Sequence, residues 1–268
     1  MTKSKKFFAY GFLILASVIS VFPLYWMMVA ATNRSVEVTR GTLIFGTELG
    51  ANLQKLFASQ NVLTALTNSF KYSIVMTLVS LAVCSIAGYG FEIFHDRVKD
   101  GVMNVILLAM MVPFAATMIP LYQMFSKANL MNCTLGFILP TISTPFLIMM
   151  FRQSARAFPL DIMEAARLDG LNELQIFIRM FIPTMRSTYA AAMTITFMNA
   201  WNSYLWPKVI MSDADSITMP MLVANLTEGY VTDYGVLMLA VLICTIPTII
   251  IFFLLQRSFA EGITGAVK

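Results

Sequence analysis

The chain has 268 residues, 58% of them hydrophobic and 12% charged, with a formal net charge of +4. A soluble globular chain carries about 25% charged residues, so one soluble core cannot absorb this much apolar surface, whereas a polytopic all-α membrane protein can. The basic residues sit near the ends of apolar runs and imply no nucleic-acid partner, and the three cysteines, Cys84, Cys133 and Cys244, form no CxxC pair or even framework and read as small buried apolar residues.

A membrane span needs about 20 predominantly apolar residues, and six stretches are candidates, making residues 1–268 a single transmembrane domain. The first, residues 8–31, follows Lys3, Lys5 and Lys6 and contains Pro23 and Trp26. It is longer than the roughly 7–15 apolar residues of a signal peptide and is expected to remain as a span. Residues 32–67 carry Gly41, Gly46 and Gly50, then Leu53, Leu56, Phe57, Leu63 and Leu66 at helical spacing. That pattern predicts an amphipathic helix on the membrane or on a partner. The second span is residues 68–91, with Gly88 and Gly90 near its end. The third is 102–125, with Pro113 and Pro120, and the fourth is 135–151, with Pro140 and Pro145. The fifth is 187–206, ending in Trp201, Tyr204 and Trp206. The sixth is 234–255, with Pro247. Each proline is a candidate kink, tolerated where neighbours satisfy the freed carbonyls.

Between the fourth and fifth spans, residues 155–186 form the most polar long segment of the interior. They hold Arg156, Arg167, Arg179 and Arg186 with Asp161, Glu164, Asp169 and Glu173. Two short helices are predicted here. Asp161 is expected to cap the first, with Glu164 three residues on closing a capping box and Pro159 barring extension backwards. Gly170 supplies the left-handed residue that ends it. Asn172, with Gln175, is expected to cap the second, and Pro183 interrupts the pattern before the next span. Ala165 and Ala166 stand side by side, small enough to let another surface come close.

Charge sets orientation. With both termini cytoplasmic, the inner segments hold Lys3, Lys5, Lys6, Arg97, Lys99, Arg152, Arg156, Arg167, Arg179, Arg186, Arg257 and Lys268. The outer ones hold Arg34, Arg40, Lys55, Lys71, Lys127 and Lys208. Residues 155–186 are then cytoplasmic, and Asp213, Asp215, Glu228 and Asp233 face outward.

No Asp, Glu, Lys or Arg stands at the middle of a span, where ion- or proton-driven carriers keep their ionisable groups. No GxxxxGK[ST] loop is present to cradle nucleotide phosphates. The single histidine, His95, lies beside Asp96 and Arg97 with no ligand-spaced companion. Neither a G-x-S-x-G nor a paired-carboxylate arrangement occurs. The residues therefore point to no enzyme, no metal site and no cofactor, and to uphill work supplied from outside the chain.

P-x-x-I-x-EAA-x-L-D-G at residues 159–170, with Phe177 and Pro183 beyond it, resembles the EAA motif of ABC importer permeases. Leu171, where a small residue is common, and Phe181-Ile182-Pro183, in place of the usual Leu-Pro, depart from that motif. Trp201-Asn202-Ser203-Tyr204-Leu205-Trp206-Pro207 resembles the W-N-x-[FY]-L-W-P signature of carbohydrate permeases. Residues 256–268 are similar to the tail of the maltose-type subfamily, one residue shorter between Thr264 and Gly265. By this resemblance the chain is identified as a carbohydrate ABC importer permease of maltose type, a binding-protein-dependent transport system inner membrane component with the type I importer permease fold. The resemblance implies a heterodimer with a second permease in the lipid of the bacterial plasma membrane, a dimeric ATPase subunit and an extracytoplasmic solute-binding protein that delivers a sugar. It implies that Glu164, Ala165, Ala166, Leu168, Asp169 and Gly170 form the coupling helix against the ATPase. Glu164 would accept from an ATPase arginine, Ala165 and Ala166 would be the close-contact face, and Glu261, Gly262, Thr264 and Gly265 of the tail would reach the ATPase dimer. No substrate residue is assigned, although Trp201 and Tyr204 have the rings to stack on a sugar. A permease for glycerophosphate or another small solute, a non-transporting membrane scaffold and an autonomous secondary carrier are the alternatives.

Overall fold

A computed structural model describes the backbone of residues 3–265 and the side chains of residues 6–256. Among the described residues the fold is helical, without a strand. Apolar segments of this length satisfy their backbone groups internally in lipid, and a helix does so within one segment. In chain order the elements are α1 (Lys3–Ala31), α2 (Ser35–Thr39), α3 (Leu49–Ser59), α4 (Val62–Ile93), α5 (Arg97–Ala109), α6 (Phe114–Lys127) and α7 (Thr134–Ile138), which runs into a 3₁₀ turn, Leu139–Thr141. They continue with α8 (Pro145–Arg156), α9 (Leu160–Leu168), α10 (Glu173–Ile176), a π-helical turn (Phe177–Phe181), α11 (Ile182–Thr184), α12 (Arg186–Trp201), α13 (Leu205–Ile210), α14 (Met219–Asn225) and α15 (Tyr234–Gly265).

Prolines sort these helices into continuous and broken ones. Pro23 in α1 and Pro247 in α15 lie inside unbroken helices. Pro113 instead stands at the N-cap of α6, and Pro145 opens α8. A proline lacks the N–H that would continue the preceding helix, and it suits a helix start, where that donor has no partner to lose. The stretch predicted as the third span is consequently two helices, α5 and α6, that meet at 99°, and the fourth bends by 59° between α7 with its 3₁₀ turn and α8. Among the described residues three helices, Lys6–Ala31, Val62–Ile93 and Tyr234–Gln256, are long and apolar enough to cross a membrane, or up to five if each bent pair is one span. In the predicted fifth span the helix α12 has 16 residues and ends at Trp201.

The chain forms two compact units. The first comprises residues 1–63 and 219–247. Here α3 buries one polar and one apolar residue: Asn52 donates to the carbonyls of Ala31 and Asn33, both at 3.0 Å, and Leu56 lies one turn on along the same face. Leu53 and Phe57, part of the predicted apolar stripe, point outward. Lys55 pairs with Asp233 at 3.1 Å, and Arg34 with Glu48 at 2.8 Å.

The second unit comprises residues 64–218 and 248–268. One of its clusters joins Leu81, Cys84, Met103, Leu147, Ile148, Phe151 and Ala192. Gly88 lets α4 and α8 approach here: a Cβ at this position would stand 2.6 Å from the Phe151 Cβ and 2.7 Å from the Arg152 backbone nitrogen. A second cluster, of Tyr89, Ala155, Phe158, Met163, Ala166, Ile176, Phe177 and Phe181, forms the seat of α9.

Candidate coupling site

The helix α9 stands on a turn whose geometry follows from its residues. Pro159 takes the extended N-cap position and the helix begins at Leu160. Asp161, expected at the cap, is thus inside the first turn, where a carboxylate complements the positive end of the helix dipole. At the other end Gly170 has φ +82°. The Leu171 N–H donates to the Ala166 carbonyl and the Gly170 N–H to that of Arg167, both at 3.0 Å, which is the double bond pattern of a Schellman cap. Asn172 then caps α10. Its carboxamide accepts from the Gln175 N–H and the Gln175 side chain accepts from the Asn172 N–H, both at 2.9 Å, so the predicted capping box is present. Pro183 cannot donate to the carbonyl four residues back, and the helix ahead of it widens into the π turn, where the Ile182 N–H reaches the Phe177 carbonyl.

The helix presents two faces. Met163 and Ala166 are buried in the cluster beneath it, and Ala166 is 5% exposed. Leu160, Glu164, Ala165, Leu168, Asp169 and Gly170 face outward, with Leu168 90% exposed. Of the two alanines expected to share one contact face, Ala165 is outward and Ala166 serves the chain's own core. Glu164 makes no ion pair among the described residues, while its neighbour Arg167 donates from Nε to Glu173 Oε1 at 2.8 Å across the Gly170 turn. That bond holds the Arg167 guanidinium above its ordinary pKa. The Tyr89 hydroxyl donates to Glu173 Oε2 at 3.5 Å.

Behind the turn lies a charge cluster that the sequence reading did not assemble. Arg152, its side chain 10% exposed, donates to Glu92 at 3.1 Å and to Asp100 at 2.6 Å. Arg156, one turn further along α8, donates to the same Glu92 at 3.0 Å. The cluster ties α4, α5 and α8 together. Arginines at i and i+4 on one helix face were the available signal. His95 belongs to the rim of this cluster, 2.8 Å from Asp100. Asp96 caps α5 by accepting from the Lys99 N–H at 2.8 Å, and its bond with the Lys99 ammonium holds its carboxyl below the usual range. Among the described residues no three His, Cys, Asp or Glu side chains gather where a metal ion would sit.

The aromatic group after α12 divides as well. Trp201 is 1% exposed, stacked on Phe197 and edge-on to Phe70. Its ring is not free to stack on a ligand. Trp206 donates from its indole to the Gly136 carbonyl at 2.9 Å, whereas Tyr204 borders a cavity. The tail residues Glu261, Gly262, Thr264 and Gly265 lie in the backbone of the last turns of α15, and their side chains fall outside the described residues.

Long apolar helices, bent helix pairs and a short helix seated on its own core are the build of a polytopic helical membrane protein. The chain belongs to the family of binding-protein-dependent transport system inner membrane components, which matches residues 85–265. It is 43% identical over 259 residues to the lactose transport system permease protein of Rhizobium radiobacter, covering 97% of this chain and 95% of that protein. It is 34% identical over 264 residues to the arabinooligosaccharides transport system permease protein of Halalkalibacterium halodurans, covering 96% and 94%. In fold it is similar to a chain of a bacterial ABC transporter involved in the import of the acidic polysaccharide alginate, with a TM-score of 0.83 at 19% identity over 97% of this chain and 99% of that one. The family is one of transport permeases and inner-membrane components, not of enzymes.

Proposed function

We propose that this chain is one of two permease subunits of a sugar or oligosaccharide importer, driven by ATP hydrolysis on a separate ATPase dimer and loaded by an extracytoplasmic binding protein. The observation that carries this reading is the split of α9. Its outer face offers Leu160, Glu164, Ala165 and Leu168 to solvent, while Met163 and Ala166 fasten the helix to the chain's own core. A lever has to be gripped on one side and fixed on the other. With Glu164 unpaired among the described residues, an ATPase cation has a carboxylate to meet. In this reading both termini and residues 155–186 are cytoplasmic, six spans cross the membrane, and the chain hydrolyses nothing itself.

The sugar class is supported by the relatives named for lactose and arabino-oligosaccharides. The test is uptake by vesicles containing this chain, its partner permease and the ATPase, supplied with loaded binding protein. Lactose and arabino-oligosaccharides should enter only with ATP and only when this chain is present. Uptake that persists without the chain, or that an ionophore abolishes and ATP depletion does not, overturns the proposal.

A further inference from the structure

The second unit holds a cavity of about 570 Å³ between the C-terminal half of α12, the 139–146 segment and α4, within the roughly 300–1,000 Å³ of small-molecule sites. Its lining contains no Lys, Arg, His, Asp or Glu. Thr196 and Asn199 border it at the i, i+3 spacing that keeps one face of α12, and Ser203 borders it from beyond the end of that helix. Thr196 is 3% exposed, and its hydroxyl has no hydrogen-bond partner among the described residues. A buried hydroxyl left without a partner is costly, and one that borders a cavity is satisfied when a polar ligand enters. The Asn199 side chain likewise makes no hydrogen bond among the described residues, in contrast to Asn202, whose carboxamide donates to the Met198 carbonyl at 2.8 Å. Phe146 and Trp206 supply apolar walls on the same cavity. The Trp206 ring is fixed by its bond to Gly136 and by edge contacts with Phe114 and Phe125 at 6.1 and 5.3 Å.

We infer that this cavity is a sugar-binding subsite carried by this subunit itself, with Thr196 and Asn199 as its hydrogen-bonding residues and the aromatic walls against the apolar face of a glycosyl ring. The argument is chemical. Hydroxyls and carboxamides both donate and accept, which matches a ligand whose every hydroxyl does the same. A phosphate ester or a carboxylate would call for Arg or Lys, and the lining has neither; the first turn of α8, from Thr144 to Leu147, is the dipole end that reaches it, and competition by glycerol 3-phosphate reads its effect. The occupant is therefore a neutral, hydroxyl-rich unit. The inference rests on the sugar-importer reading and deepens it.

The test uses the assembled importer in lipid nanodiscs, with radiolabelled lactose as the probe and glycerol 3-phosphate as the charged comparison. Losing one hydrogen bond to a neutral ligand weakens binding roughly three- to tenfold. Thr196→Val, which keeps shape and removes the hydroxyl, should raise the lactose Kd by that factor. Asn199→Leu should do the same, and Thr196→Ser, which restores a hydroxyl, should recover most of the loss. A merely structural role for Thr196 would not separate Val from Ser in this way. Glycerol 3-phosphate should not compete. Both variants binding lactose as the wild type does, in complexes that still take it up with ATP, would overturn the subsite and leave the importer reading standing. A cross-link from Asn199→Cys to the partner permease that forms equally with and without lactose would also overturn it, because protein would then fill the cavity. Wild-type vesicles that take up neither lactose nor arabino-oligosaccharides would overturn both readings.

Discussion

Ala165 and Ala166 are consecutive but face opposite ways, and a leucine at each position separates the two surfaces of α9. Ala166 is closed in by Met163, Ile176, Phe177 and Phe181 in one buried cluster. Three added carbons there overpack the seat of the helix, at a cost of about 1–3 kcal/mol. Ala165 stands outside that cluster and is exposed. Leucine is nearly as good a helix former as alanine, so its cost to folding should stay within about ±0.5 kcal/mol, as for other surface changes. The assay has two readouts on the purified importer: its thermal midpoint and the amount of ATPase subunit that co-purifies. Ala166→Leu should lower the midpoint, and adding Met163→Ala, which returns volume to the same cluster, should restore much of it. Ala165→Leu should leave the midpoint in place while ATPase retention and ATP-driven uptake fall. Equal destabilisation by the two leucines, or loss of ATPase only with Ala166→Leu, would refute the assignment of faces.

Further outcomes follow from the same geometry. Gly88→Ala places a Cβ 2.7 Å from the backbone nitrogen of Arg152, which no rotamer change relieves. It should destabilise by at least the about 1–3 kcal/mol of ordinary overpacking, read as a fall in the midpoint, and an unchanged midpoint would contradict the close approach of α4 and α8. Arg152→Leu removes a donor shared by Glu92 and Asp100, but Glu92 keeps Arg156 and Asp100 keeps His95. The loss should therefore fall near or below the lower end of the about 3–5 kcal/mol seen on breaking buried pairs. The double change with Arg156→Leu should cost more than the sum of the two single ones, checked by a mutant cycle in thermal unfolding. At Gly170 the side-chain direction is open but φ is positive. Gly170→Val should thus lose about 1–2 kcal/mol of stability to added backbone strain and most of the uptake, whereas Gly170→Asn, which tolerates that conformation, should keep more of both. Uptake equally preserved in both variants would show that the Gly170 cap does not set the lever.

Local chemistry in this chain is legible from sequence where it is local in space. The Gly170 stop and the Asn172–Gln175 box depend on residues one to five apart, and their patterns appear in the structure as read. Proline is legible as a disturbance but not as an outcome. Pro23 and Pro247 stay within unbroken helices while Pro113 stands at the start of a new one, because the surrounding packing decides whether a freed carbonyl is accommodated. The start of α9 at Leu160 rather than after Asp161 turns on Pro159 taking the extended conformation first. In pairings across 52 to 64 residues, such as Arg152 with Asp100 and Arg156 with Glu92, the i, i+4 spacing shows the two arginines but not their partners. The burial of Trp201 and the opposed faces of Ala165 and Ala166 leave no such sign, since each is fixed by which element packs against α9 or α12. The cavity beside Thr196 is of the same kind. Its polar residues look like ordinary helix positions until α4 and the 139–146 segment close around them.

The most direct measurement of the central claim is a photo-cross-link from position 168, where Leu168 is 90% exposed at the outward end of α9. A benzoylphenylalanine placed there in the working importer should yield an adduct with the ATPase subunit, and its yield should change when ATP is added. An adduct with the extracytoplasmic binding protein instead, or labelling of position 168 by a membrane-impermeant reagent on intact cells, would place α9 on the wrong side of the membrane and contradict the account.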